Sequence, residues 1–235
     1  MSPDARKNNT PALIARTPAR VTKESAELTE EALRRAVRVL VRRDPDLAMI
    51  HRTYGVPPLW AREPGFATLV HLILEQQVSL ASARACFDKL RALLPGMEPA
   101  GFLELSDITL REAGFSRQKS LYCREMARAV VEGRFDIPAL HGLEDTAVMK
   151  AMTELKGVGT WTANVYLLMV MRRPDAFPAS DLALLIAAQR VKRLRKRPTP
   201  ERLEAIAESW RPYRSVAARL LWLYYLSAPK VVAKG

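Results

Sequence analysis

The chain has 235 residues, 49 % of them hydrophobic, enough to bury the core of one large domain or two small ones. Lysine and arginine number 37 against 25 aspartate and glutamate, a formal charge of +12 that points to a polyanionic partner, nucleic acid ahead of an acidic membrane surface. Two cysteines, Cys86 and Cys123, cannot supply a four-cysteine iron–sulfur cluster or zinc site; His51, His71 and His141 lack metal-ligand spacing; and no run approaches the ~18 apolar residues of a membrane span.

Residues 1–28, rich in proline, threonine, alanine and charge, read as a disordered basic tail without a signal-peptide core. The expected location is the cytoplasm with access to DNA, or the nucleus in a eukaryote. From there on helical periodicity dominates and no strand-like alternation is found. Thr29 is the expected N-cap of a helix through about Arg43, and Pro45, Pro57, Pro58 and Pro64 bracket a loop. Gly65 to Glu75 carries an apolar stripe, Ser79 caps a helix to about Leu94, and two short turns fall at Phe102 to Leu105 and Thr109 to Ala113. Ser116 caps a helix to about Glu132, closed by Gly133. Further helices are expected over Glu144 to Leu155, Thr160 to Met171, Asp181 to Leu194, Pro200 to Ser209 and Arg214 to Leu226. The fold class is all-α, with about ten helices.

The run from Leu155 to Ala163 (LKGVGTWTA) joins two of these helices through Gly157-Val158-Gly159. Glycine at both positions permits a tight bend and removes side chains, so a phosphate can approach main-chain N–H groups of Gly159, Thr160 and Trp161 at the start of the second helix. A glycine C-cap followed by an ordinary turn has the same pattern. A dinucleotide fingerprint fits worse, because no strand precedes the motif and Trp161-Thr162 stand where a third glycine is required. Asp181 follows 22 residues after the second glycine, behind Phe177-Pro178-Ala179-Ser180. A second helix of about 18 Å and a link that can reach about 30 Å let Asp181 return toward the bend. There it serves as a helix N-cap, and the same carboxylate can stabilise positive charge developing on a sugar or orient a water.

Taken together, the segments Leu155 to Asn164 and Phe177 to Asp181 resemble the helix-hairpin-helix–GPD superfamily of DNA base-excision glycosylases, and within it the alkylation-repair branch, 3-methyladenine DNA glycosylase II. EQQVS from Glu75, GFSRQKS from Gly114 and WRPYRS from Trp210 extend the resemblance in consistent order from about Pro45 to Leu226. The resemblance implies two all-α subdomains with a cleft between them, one built from the N- and C-terminal helices and one from the central helices, in a domain spanning 29–235. It implies Asp181 as the catalytic residue, and Trp161 and Trp222 as walls of a pocket for the flipped base; Val165 stands where some relatives place a pocket tyrosine, and the adjacent Tyr166 is the further candidate wall. Gln76 or Gln77 is the wedge that fills the gap in the duplex. Gly157 and Gly159, with Val158 and Thr160 beside them, match the hairpin that grips a DNA phosphate; Lys156, and Arg214 and Ser215 at the last helix, are expected contacts to the backbone, and Lys119 is a weaker candidate. Members that also cleave the strand carry a lysine where Trp161 stands, so no lyase activity is expected.

The implied reaction is excision of alkylated bases of the 3-methyladenine and 7-methylguanine type by base flipping and Asp-assisted hydrolysis of the N-glycosidic bond. The implied partner is double-stranded DNA with damaged bases, met by a monomer with no membrane and no cofactor beyond a monovalent cation at the hairpin carbonyls. Two alternatives stand beside it: a glycosylase for uracil or hypoxanthine, and a non-catalytic helix-hairpin-helix DNA-binding module. Residues 189–197 hold six basic side chains in nine and can track phosphates, or form a solvated face.

Overall fold

The computed structural model describes residues 27–229, so most of the tail expected over 1–28 lies outside the described residues. Leu28 does not continue it: the residue is buried and its N–H donates to the Arg172 carbonyl. The described residues form twelve α-helices and two 3-10 turns, with no strand among them.

By internal contacts the chain divides into two compact units. The first comprises residues 65–143 and 154–157. It holds α3 (Phe66–Glu75), α4 (Leu80–Leu93), α5 (Pro99–Glu104), α6 (Asp107–Glu112) and α7 (Arg117–Val131). α7 packs on α3, α5 and α6, and α3 packs on α4. Ser79, Ser106 and Ser116 each accept an N–H bond from the first turn of the helix that follows. Leu69, Leu72, Ile73, Phe102, Leu110 and Met126 fill the interior, with Phe102 between the rings of Phe66 and Phe115. The two short segments expected near Phe102 and Thr109 are six-residue helices that begin earlier, at Pro99 and Asp107, where a first-position proline and the Ser106 cap start them. Cys86 and Cys123 are buried, and burial pushes both thiols up.

The second unit comprises residues 27–64, 144–153 and 158–229 as described. It holds α1 (Glu30–Arg43), α2 (Pro45–Tyr54), α8 (Asp145–Thr153), α9 (Thr160–Met169), α10 (Leu182–Val191), α11 (Pro200–Ala207) and α12 (Arg214–Ser227). α12 is its axis, packed against α1, α2 and α10, and apolar nearly all round because it is buried on several sides. α2 is a correction: Pro45 does not open a loop but takes the first helical position, where its missing N–H is harmless, behind Asp44 as N-cap. Asp44 Oδ1 accepts from the Asp46 and Leu47 amides, and its carboxylate also meets Lys192 Nζ at 2.6 Å and Trp210 Nε1 at 2.7 Å. The Lys192 and Trp210 bonds hold the carboxyl below the usual aspartate range against the opposing effect of burial.

Arg219 on α12 is fully buried. Its guanidinium donates to the carbonyls of Leu59 (2.8 Å), Leu168 (2.7 Å) and Ser215 (3.1 Å). Burial pushes its pKa down to about 9. The strut joins α12 to α9 and to the segment carrying Trp60.

Candidate active site

Asp181 is the N-cap of α10: its Oδ1 accepts the Leu184 N–H at 3.0 Å, while its own N–H closes a tight turn on the Pro178 carbonyl. Asn164, one turn beyond Trp161 on α9, accepts the Phe177 N–H and so ties the link before Asp181 to that helix. The carboxylate is gripped by two indoles as well. Trp222 Nε1 donates to Oδ1 at 3.0 Å, and Trp161 Nε1 donates to Oδ2 at 2.9 Å. An indole N–H only donates, so all three contacts require Asp181 as acceptor. A carboxylate has about four lone-pair sites, which leaves Oδ2 able to accept once more. Charge-assisted bonds from three separate elements fix the direction of that remaining site.

Trp60 belongs to the same cluster and was not singled out in the sequence. Its ring meets Trp222 edge-on, centroids 6.3 Å apart, and its backbone sits at φ 48. A bulky residue at positive φ is strained, and such residues gather where the surroundings over-determine them. Here the Arg219 bond to the Leu59 carbonyl and the bond from the Arg62 N–H to the Met169 carbonyl hold both sides of Trp60. The neighbouring Pro57-Pro58 was the one sequence signal of a constrained backbone.

Three expected site residues are placed elsewhere. Tyr166 has no exposed surface. It lies five positions after Trp161, roughly 140° around the helix, so the two cannot share a face. Its hydroxyl is buried without a hydrogen-bond partner among the described residues, and burial raises its pKa to about 12. Tyr166→Phe is therefore expected to stabilise the protein by about 1 kcal/mol, seen as a rise of roughly 2–4 °C in melting temperature. Ser215 is fully buried, its hydroxyl accepting from Arg219 and its N–H donating to the Pro174 carbonyl, so it is closed to DNA. Arg214 is neutralised by Asp175 at 2.9 Å and Glu208 at 3.3 Å, its guanidinium largely covered.

The hairpin occurs as expected between α8 and α9, and the division between the units falls within it, after Gly157. Lys156, Gly159 and Thr160 are exposed, whereas Val158 is buried and offers only main chain. The two glycines differ. Gly157 has φ 87, and a Cβ there would come within 2.1 Å of the Tyr122 ring, so the fold itself requires glycine. Gly159 has ordinary extended backbone at φ −94, and a Cβ would meet no heavy atom within 4 Å. Nothing among the described residues calls for glycine at 159. The open space lies at the head of α9, where the first-turn N–H groups have no intrahelical partner.

Gln76 and Gln77 separate as well. Gln76 is the C-cap of α3, and its Nε2 donates to the Gly157 carbonyl at 2.9 Å. Gln77 is exposed, with φ 57. The basic run is placed at the far end of α10 from Asp181, about 15 Å along the axis. There Lys192 is spent on Asp44 and Asp46, while Arg190, Arg193, Arg195, Lys196 and Arg197 are exposed.

The chain is 31 % identical over 125 residues to YfjP of Bacillus subtilis, spanning 53 % of this chain and 44 % of that protein. It is 28 % identical to the alkylbase DNA glycosidase-like protein mag2 of Schizosaccharomyces pombe, over 71 % of this chain and 79 % of the other. The fold is shared with the 3-methyladenine DNA glycosylase Mag1 of the same yeast, solved in complex with abasic DNA. The TM-score is 0.78 and the identity 24 %, over 83 % of this chain and 98 % of that one. Residues 70–212, more than half of the sequence, match the family of HhH-GPD superfamily base excision DNA repair proteins, and the chain belongs to that family.

Proposed function

We propose that the protein is a monofunctional DNA glycosylase that removes alkylated, cationic bases such as 3-methyladenine and 7-methylguanine from double-stranded DNA. The observation that carries the reading is the carboxylate of Asp181 held by the indole N–H groups of Trp161 and Trp222 at the head of α10. Trp161 is partly exposed, so it can give its N–H to Asp181 and still offer a π-face to a cation, an attraction of about 0.5–2 kcal/mol, whereas Trp222 is buried. Trp60 adds a third ring to the group.

The chemistry follows from these parts. A base methylated at a ring nitrogen carries positive charge and leaves as a neutral molecule, so the leaving group needs no general acid. As the glycosidic bond lengthens, charge passes to the sugar as an oxocarbenium-like centre. Asp181 stabilises that charge through its unspent Oδ2 position, from which it also accepts a proton of the attacking water. The water adds to the anomeric carbon, leaving an abasic site and the free base. Gly159 and the first turn of α9 take a phosphate on their N–H groups, Lys156 adds a charge, and Gln77 is the wedge. A monovalent cation at the hairpin would bind main-chain carbonyls and reinforce that phosphate contact; the Gly157 carbonyl already accepts the Gln76 amide.

The substrate class is tested with duplexes carrying one 7-methylguanine, uracil or hypoxanthine. Release of 7-methylguanine far ahead of the neutral bases is expected. Preference for uracil or hypoxanthine would replace the cationic reading, and release of none would leave a DNA-binding module. The absence of lyase activity is tested by borohydride reduction during turnover. Trp161 has no amine, so no covalent protein–DNA adduct is expected, and robust trapping would show a nucleophilic lysine.

A further inference from the structure

Helix α3 ends at Glu75 with Gln76 as C-cap, and the last carbonyls of a helix have no partner within it. One ammonium takes two carbonyls at this end. Lys119 Nζ donates to the Leu74 carbonyl at 2.6 Å and to the Gln76 carbonyl at 2.9 Å. A cation here also complements the negative end of the helix dipole. Lys119 stands in the first turn of α7, directly after the Ser116 cap, so its position is set by a well-formed helix. It is therefore not a phosphate contact, as the sequence alone suggested.

The Gln76 carbonyl belongs to the peptide bond that leads into Gln77, the residue at φ 57. The Gln76 side chain makes the second tie, to the Gly157 carbonyl. Gly157 in turn rests on the Tyr122 ring of α7, whose hydroxyl accepts from Gln118 Nε2 at 2.6 Å. One helix thus supports both the turn before the wedge and the first glycine of the hairpin. A wedge must resist restacking of the base pairs around it. A non-glycine at positive φ relaxes toward commoner backbone unless its surroundings prevent it.

We propose that Lys119 is a positioning residue for nucleotide extrusion: its ammonium fixes the left-handed turn that presents Gln77, while the Gln76 amide ties that turn to the Gly157 carbonyl of the hairpin. The proposal rests on the glycosylase reading above. Without Lys119 the protein still grips the backbone but holds the duplex open poorly, so the loss falls on extrusion and not on encounter.

The test uses the full chain and duplexes with 2-aminopurine beside a 7-methylguanine, the fluorescence reporting unstacking. Lys119→Met keeps the aliphatic stem and removes the charge. It is expected to slow single-turnover base release about tenfold, the worth of a charged hydrogen bond, and to reduce the fluorescence rise. Binding to undamaged duplex should stay near that of the wild type, and Lys119→Arg should restore most of both losses. In a Gln77→Ala background, Lys119→Met should change little further, because both act on one wedge. Full additivity of the two substitutions, or a wild-type fluorescence rise in Lys119→Met, would overturn the proposal. Should Lys119→Met fail to fold, Gln76→Met cuts the other tie and enters the same cycle with the same expectations. If the wild-type chain releases no 7-methylguanine, the glycosylase reading falls and this proposal with it; if it does and Lys119→Met matches it, only the proposal falls.

Discussion

Replacing Asp181 with asparagine is expected to lower base release by about 10²-fold or more while leaving DNA binding largely intact. Asparagine is as good an N-cap as aspartate, so α10 keeps its start. The amide oxygen can occupy the Oδ1 position and accept from both the Leu184 amide and Trp222. The amide nitrogen then faces Trp161 Nε1 where Oδ2 stood, donor against donor. That mismatch costs about 1–3 kcal/mol, toward the lower end because Trp161 is partly open to water, which can step in. Single-turnover kinetics and a melting curve separate the two effects. Turnover near the wild-type rate would remove Asp181 from the chemistry, whatever the melting curve shows.

The second large effect is a contrast between neighbouring glycines. Gly157→Ala places a methyl group within 2.1 Å of the Tyr122 ring and on a left-handed backbone. Strain and overpacking together amount to roughly 2–5 kcal/mol, enough to lower the melting temperature by several degrees or to displace Tyr122 and the hairpin with it. Gly159→Ala meets no protein atom within 4 Å and no backbone strain, so its stability should stay within about 0.5 kcal/mol of the wild type. Its effect is expected on DNA: a methyl group over the open N–H groups of α9 holds a phosphate away and weakens binding by about tenfold. Calorimetry together with a duplex-binding titration tests the pair. Equal damage to folding by both substitutions, or unchanged DNA affinity in Gly159→Ala, would contradict the assignment of Gly159 to the phosphate.

Much of this was legible in the sequence because it is local. Caps at Thr29, Ser79 and Ser116 stand next to the helices they start, and the hairpin is a contiguous pattern. α2 was missed because a proline reads as a break unless the residue before it is recognised as a cap, and Asp44 is that residue. The geometry at Asp181 was half legible. Its residue type and place at a helix head could be read, but the two indole bonds span 20 and 41 positions of sequence, and their directions depend on how α9, α10 and α12 pack. Tyr166 illustrates the converse, a residue next to the right position but turned into the core by helical geometry. Gln76 and Gln77 could not be told apart from sequence, since one backbone angle and one side-chain bond distinguish them. Trp60 carries no sequence mark of its positive φ beyond Pro57 and Pro58, and Lys119 none of the helix end it closes.

The claim on which the rest depends is that the Asp181 carboxylate, aimed by Trp161 and Trp222, faces a deoxyribose that becomes positively charged. Two abasic-site analogues in otherwise identical duplexes measure this directly, a pyrrolidine that is cationic at neutral pH and an uncharged tetrahydrofuran. The wild type is predicted to bind the pyrrolidine duplex about tenfold or more tightly, and Asp181→Asn to lose that preference while binding the tetrahydrofuran duplex as before. Equal affinity of the wild type for both duplexes, or a preference that survives in Asp181→Asn, would contradict the account.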